Sequence, residues 1–318
     1  MTTINSTYGR FLDVTRQTQS LNTQLYSLQE QLASGKKPGG LAGVARDAGQ
    51  LLKGKEVTQR TESYMRSLNA VDRRTELYAN SLNSLSKTAA DARETLIRLE
   101  DQDKVTEDML LGELDGWLTD IEAALSVKDG DRYLFSGSIT DEAPTVSLVD
   151  IDETTITIDP NDPPVTKGNQ TASDYINKTG NIDDTNVWNR DSIHIDDSEQ
   201  MEYGVSAAEP AIQDFINSLI YAKQDPKNNL QEARTLLERA ATGLGELEAK
   251  NGFNQARAAA KREHHSGTLD FLEKTAGKIE DVDLAEVSTK LSMTQTVLQA
   301  SYQSTARLLQ TSLANYLR

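Results

Sequence analysis

The residues with the most chemical reach in this chain are scattered. His264 and His265 follow Glu263 in KREHHSG, a triplet that could suggest a metal. Adjacent helix positions project about 100° apart, so these histidines cannot chelate one ion as residues at i and i+4 do. They read as surface histidines, and His194 is equally isolated. The carboxylates of DIDETTITIDPND, Asp150 to Asp162, could attract calcium. A calcium loop needs Gly at its sixth position and Glu at its twelfth, where this chain has Thr155 and Asn161. A solvated turn between strands is expected instead. GGLAG is not followed by the Lys-Ser/Thr of a phosphate loop, and three scattered histidines leave little material for a triad. The triplets starting at Asn5, Asn169 and Asn177 match a short, frequent glycosylation pattern and are given no role. No catalytic residue, metal site or cofactor is expected, and the chain is read as a non-enzyme.

Composition points the same way. The net charge of -16 argues against nucleic acid, whose phosphates need a basic face. Residues 139–206 hold fifteen Asp/Glu against Lys167, Lys178 and Arg190, which reads as a solvated acidic surface. No run of eighteen apolar residues suggests a membrane span. The start, MTTINSTYGRFLDV, lacks the basic and apolar regions of a cleavable signal peptide. There is no cysteine, so disulfides are excluded. An aromatic fraction of 5% and mean hydropathy of -0.55 suit helices that each bury only a stripe.

Those stripes are legible. Phe11, Val14, Thr18, Leu21, Leu25, Leu28 and Leu32 step in threes and fours, which is coiled-coil spacing. Gly35 and Pro38 end that helix. A longer stripe runs from Tyr64 through Leu68, Val71, Thr75, Tyr78, Leu82, Leu85, Ala89, Ala92 and Leu96 to Leu99. Starting near Val57, this helix would be on the order of 60 Å long. A third runs through Leu111, Leu114, Leu118, Ile121 and Leu125. Helix returns with Ile212, Phe215 and Leu219, pauses at DPKNN, and continues from Leu230 with a break suggested at Asn251-Gly252. The last stripe is Leu284, Val287, Leu291, Thr294, Leu298, Ser301, Thr305 and Leu308, reaching Leu313.

Between the halves the pattern changes. DGDRYLFSGSITDEAP, residues 129–144, has an Asp129-Gly130 turn, β-favouring residues and Gly137, as a small hairpin would. SLVDIDETTITID and SIHID then alternate with period two. The reading is a mainly α, elongated antiparallel helical bundle or coiled coil with a small β-rich insert. Three parts are expected: a terminal coiled coil of 1–50 and 281–318, a helical rod of 51–138 and 207–280 carrying the hairpin, and an acidic β-rich domain of 139–206. The C-terminal stripe places Thr294, Ser301 and Thr305 at core positions, so an isolated terminal pair buries little apolar area. Packing against other copies would complete it.

The hairpin stretch resembles the signature of the flagellar hook-associated family at the hook–filament junction, the third hook-associated proteins. Asp129, Gly130, Arg132, Tyr133, Leu134, Phe135, Gly137, Thr140, Ala143 and Pro144 carry the resemblance, and Thr145-Val146 stands where a Phe often follows. LQEQLASGKK and KIEDVDLAEVSTKLSMTQTVLQAS are similar to the ends of the wider flagellin superfamily. The resemblance implies a non-catalytic adaptor layer joining hook to filament, extracellular, exported by the flagellar type III apparatus without signal cleavage. It implies as partners further copies, another hook-associated protein, flagellin and an export chaperone, with no nucleic acid and no membrane. A flagellin polymerising into the filament itself is the alternative. The expected assembly residues are Leu21, Leu25, Leu28, Leu32, Leu284, Val287, Leu291, Leu298, Leu308 and Leu313, and the hairpin motif is Arg132, Tyr133, Phe135 and Gly137.

Overall fold

The computed structural model describes residues 2–39, 46–100, 107–151 and 190–316. Its elements in chain order are α1 (Thr2–Ser34), α2 (Ala48–Glu100), α3 (Glu107–Leu125), β1 (Lys128–Asp129), β2 (Arg132–Tyr133), β3 (Asp191–His194), β4 (Gln200–Tyr203), α4 (Pro210–Gln224), α5 (Leu230–Glu280) and α6 (Leu284–Tyr316). The expectation of a mainly helical bundle with a small β portion is borne out. Two compact units result: Met1–Arg60 with Gly267–Arg318, and Thr61–Ser266.

In the second unit the long stripe of α2 forms the core. Leu68, Val71, Leu82, Leu85, Ala89, Ala92 and Leu96 are each almost fully buried. Side chains three and four apart share a helix face, so a sustained 3-4 rhythm brings them all to one side. Leu114, Leu118 and Ile121 of α3, Ile212, Phe215 and Leu219 of α4, and Leu237 and Leu244 of α5 complete that core. A smaller cluster joins Leu68 and Val71 to Ile195, Met201, Tyr203 and Ala258. Each such burial contributes roughly 1.5–3 kcal/mol for a large aliphatic or aromatic side chain.

Two helix boundaries differ from the sequence reading. The second helix begins at Ala48, not near Val57, and its 53 residues span about 80 Å. Leu51, buried within the first turn, anchors the earlier start. The break suggested at Asn251-Gly252 does not occur. Asn251 is buried with its Nδ2 donating to Thr75 O at 2.8 Å, while Gly252 faces solvent. An exposed mid-helix glycine weakens a helix by only about 1 kcal/mol, which tertiary packing overrides.

The caps follow expectation. Gly35 adopts φ 70° and its N–H donates to Gln31 O at 2.8 Å, closing α1. At DPKNN, Asp225 accepts hydrogen bonds from the backbone of Lys227 and Asn228, making the turn between α4 and α5.

Strands are few among the described residues. β1 and β2 pair antiparallel with Lys128 opposite Tyr133 and Asp129 opposite Arg132. Gly130 alone of the two turn residues has positive φ, at 67°, the pattern of a type II′ turn. β3 and β4 pair antiparallel, with Ile193 opposite Met201. SIHID is thus a strand as read, whereas most of SLVDIDETTITID, the whole Asp152–Asp162 run, and the triplets at Asn169 and Asn177 lie outside the described residues.

Candidate assembly surface and hairpin lock

In the first unit, α1 and α6 pack antiparallel. Gly35 O accepts from Val282 N at 2.9 Å near one end, while Asn22 Nδ2 donates to Tyr302 Oη at 3.2 Å further along. Leu28, Val287 and Leu298 are buried between them, with Leu21, Leu25 and Leu291 half-buried. Leu32 and Leu284 are exposed at the end of α1 and the start of α6. Leu308 and Leu313 sit on α6, but their side chains lie outside the described ones, as do those of Phe11 and Asn5. Thr294 is buried at a seam position, and Ser301 and Thr305 are half-buried.

The pair leaves much apolar surface open. Tyr26 and Met293 are each 69% exposed, and Leu12, Val297, Tyr302 and Leu309 are also solvent-facing. A groove of about 800 Å³ runs beside the helices, with Leu28 and Val287 among its lining and Lys37, Asp283, Glu286 and Lys290 at its polar edges. A two-helix pair of this length, with threonine and serine in its seam, covers one stripe and leaves apolar side chains open outside it.

A clasp closes this unit where α5 meets α6. Glu280 accepts from Lys36 Nζ at 3.0 Å and Lys55 Nζ at 2.9 Å, bridging α1 and α2 to the end of α5. The hydrogen bonds from Lys55 and then Lys36 hold the Glu280 carboxyl below its usual range. Lys37 reinforces the clasp twice: its backbone N donates to Glu280 O at 2.8 Å, and its Nζ to Ile279 O at 2.6 Å. Asp283 then caps α6 by accepting from Ala285 N and Glu286 N.

In the second unit, the RYLFSG residues form a lock. Arg132 pairs with Asp191 across 59 residues of chain. Tyr133 takes Lys128 Nζ over its ring at 4.0 Å. The strand pairing ends there, because Leu134 and Phe135 turn inward and become core. Phe135 is fully buried and meets Tyr78 edge to face at 5.1 Å, while its carbonyl accepts from Ala207 N at 2.8 Å. Ser136 Oγ donates to Glu142 O at 2.7 Å, and Gly137 takes φ 63°.

An arginine pair on α2 anchors the hairpin turn. Arg73 grips Asp129 with two bonds at 2.9 and 3.1 Å, and Arg74 adds one at 2.8 Å. These bonds, Arg73's first, hold the Asp129 carboxyl down to about 2. Arg74 also donates to Tyr203 Oη at 2.7 Å, tying in β4. The two points where the chain leaves and rejoins the helical unit are therefore fastened to each other and to α2.

Sequence reasoning placed Tyr78 on the buried stripe but missed its bond to Leu134, and it missed Arg73, Arg74 and Asp191 altogether, since nothing local marks a partner more than fifty residues away. The surface reading of the histidines needs a correction. His264 is exposed, but His265 is buried, stacked on Tyr64 at 5.7 Å, with Nε2 2.7 Å from Ile195 O. It faces inward because α5 turns that position toward β3 and β4, so the pair splits between solvent and core as adjacent helix positions must. Among the described residues no group of three potential metal ligands converges.

Comparison with known proteins agrees with this architecture. Residues 235–317 match the family described as the bacterial flagellin C-terminal helical region. Among solved structures, the chain resembles a protein from Vibrio parahaemolyticus assigned provisionally as flagellar hook-associated. Identity is 14%, the TM-score 0.54, and the match covers 75% of this chain and 100% of that one. FlgL of Bacillus cereus aligns over 80% of this chain and 99% of its own at 13% identity, with a TM-score of 0.34 that carries no fold argument. No curated protein matches the sequence. The class is that of helical proteins bearing a flagellin-type C-terminal region. More particularly, the fold is similar to that of the Vibrio chain, in keeping with the resemblance read from the sequence.

Proposed function

We propose that this chain is a non-catalytic adaptor layer at the hook–filament junction of the bacterial flagellum. The observation that carries the assembly part is the half-covered α1–α6 pair, whose buried seam includes Thr294 while Tyr26 and Met293 stand open to solvent. Such a pair gains burial only by packing against further helices. The ten leucine and valine positions named from the sequence, Leu21 to Leu313, are the residues proposed for assembly, Leu28, Val287 and Leu298 by holding the α1–α6 seam and Leu32 and Leu284 as side chains open to a further helix. The junction role in particular is supported by RYLFSG and by a single insert between the hairpin and α4.

The expected neighbours are further copies, another hook-associated protein and flagellin, with an export chaperone before assembly. Placement outside the cell, by type III export without signal cleavage, belongs to the same reading. No helix among the described residues is long and apolar enough to cross a membrane. The proposed division keeps 1–50 with 281–318 as assembly base, 51–138 with 207–280 as rod, and 139–206 as the acidic part, of which Ile195, Met201 and Tyr203 pack on the rod.

A flagellin reading has one observation in its favour, the flagellin-type region at 235–317. Seeded assembly separates the two. Purified chain is incubated with isolated hook fragments and with filament seeds and examined by electron microscopy. A limited layer on hooks that then permits flagellin growth supports the junction role. Long filaments of this chain alone would make it a flagellin, and no association with either would overturn both readings.

A further inference from the structure

On the solvent side of α5, Ala249, Gly252, Ala256, Ala259 and Ala260 are all exposed. One aromatic ring rises from this low surface. Phe253 is 66% exposed, with the small Ala249 and Ala256 on one side of it and Lys250 and Arg257 on the other. It stands on an uninterrupted helix, so docking it orders little that is not already ordered.

Elsewhere on the same unit a groove of about 340 Å³ opens between α2 and α5. Ala89, Ala90 and Ala241 line it, with Ile97 beside them and Arg93 and Glu94 at its rim. Alanine at these three positions leaves room for an aromatic ring to reach the backbone of both helices, the kind of pocket that hot-spot anchors fill. Ala241 and Phe253 lie about 18 Å apart along α5 and roughly 120° apart around it. A ring so placed cannot fill the groove of its own chain.

Charge fits the same pairing. Lys250 lies one turn before Phe253 on the same side of α5. Arg93 is engaged by Glu238 at 3.2 Å, so the charge that the groove rim offers a newcomer is that of Glu94. A knob arriving with an ammonium beside it meets a carboxylate at the rim.

We propose that copies of this chain contact one another head to tail in this unit, with Phe253 of one copy seated in the α2–α5 groove of the next and Lys250 facing Glu94. Because knob and groove are different patches, the contact is heterologous and repeats from copy to copy, as a ring or helical layer requires. It rests on the reading of the chain as a self-assembling layer and adds a contact separate from the α1–α6 surface.

The chain has no cysteine, so engineered thiols report without background. Full-length Glu94→Cys and Lys250→Cys variants are mixed under mild oxidation, both concentrated in solution and on hook fragments. The expected result is a mixed cross-linked dimer, absent when either variant is alone. Adding Phe253→Ser to both should cut cross-linking on the order of tenfold or more. No mixed cross-link in either setting overturns the proposal, and if a layer still forms on hooks the junction role survives it. Dimers from one variant alone would mean a symmetric contact and also overturn it. Loss of hook binding by Phe253→Ser without any cross-link would assign the ring to a different protein and overturn it as well. Mixed cross-links without hook binding would keep the contact and reject the junction role.

Discussion

Tyr78, midway along α2, donates its hydroxyl to the carbonyl of Leu134 at 2.5 Å, joining two residues 56 positions apart inside the core. Burial raises the Tyr78 phenol well above its ordinary range, so it remains a donor at any working pH. Its ring also meets Phe135, and a Cβ added at Gly204, where φ is 94°, would stand 3.1 Å from its oxygen. One side chain thus sets the position of the hairpin and of the strand that returns to α4.

Tyr78→Phe keeps the ring and removes the donor. It should lower stability by about 1–3 kcal/mol, the cost of leaving a buried carbonyl unpaired. Chemical denaturation followed by circular dichroism measures it. Gly204→Ala should be destabilising too, because positive φ and the close Tyr78 oxygen act together. An unchanged midpoint in both variants would remove Tyr78 from its place in the lock.

Asp129 gives the hairpin an acid limit. Its carboxyl is depressed to about 2 in the folded chain from an ordinary 3.8, so the folded state binds the proton less readily than the unfolded one. The stability from its arginine bonds is therefore present above pH 4 and is lost as pH falls toward 2. Asp129→Asn should be less stable than the parent at pH 6, with the difference shrinking across that window. Parallel denaturation curves at pH 2.5, 4 and 6 decide it.

Leu298→Asp places a charge in the α1–α6 seam, where Leu298 is 9% exposed. Residues 61–266 have their own core and should keep their thermal transition. Layer formation on hook fragments should be lost. Normal assembly by this variant would show that the seam is not needed for it.

Glu280→Gln leaves the backbone bonds of the clasp in place and removes its charge. Amides at Lys37 and Val282 should exchange with deuterium faster, by an amount that shrinks as salt rises, since exposed ion pairs are screened. The same exchange rates in variant and parent at low salt would mean the backbone bonds alone hold the clasp.

The insert should be replaceable. Arg132 with Asp191 and Phe135 with Ala207 fasten the chain on both sides of it. Exchanging residues 152–189 for a Gly/Ser segment of equal length should leave the helical transition within about 1 kcal/mol, because loop-closure cost depends only weakly on what fills the loop. Melting of the helices in that chimera would assign the insert a role in folding.

The stripes, the cap at Gly35, the turn at Gly130 and the inward or outward sense of most α2 positions follow from the sequence by itself. Helix periodicity and turn chemistry act over four to seven residues, so a single chain displays them openly. The tertiary structure decided what depends on distant partners: that Asn251-Gly252 stays helical, that His265 is buried while His264 is not, and that Phe135 is a core plug rather than a strand residue. It also decided that Arg73 and Arg74 hold Asp129. Burial and long-range hydrogen bonds are set by which surfaces meet after folding, and no local pattern encodes a partner more than fifty residues away.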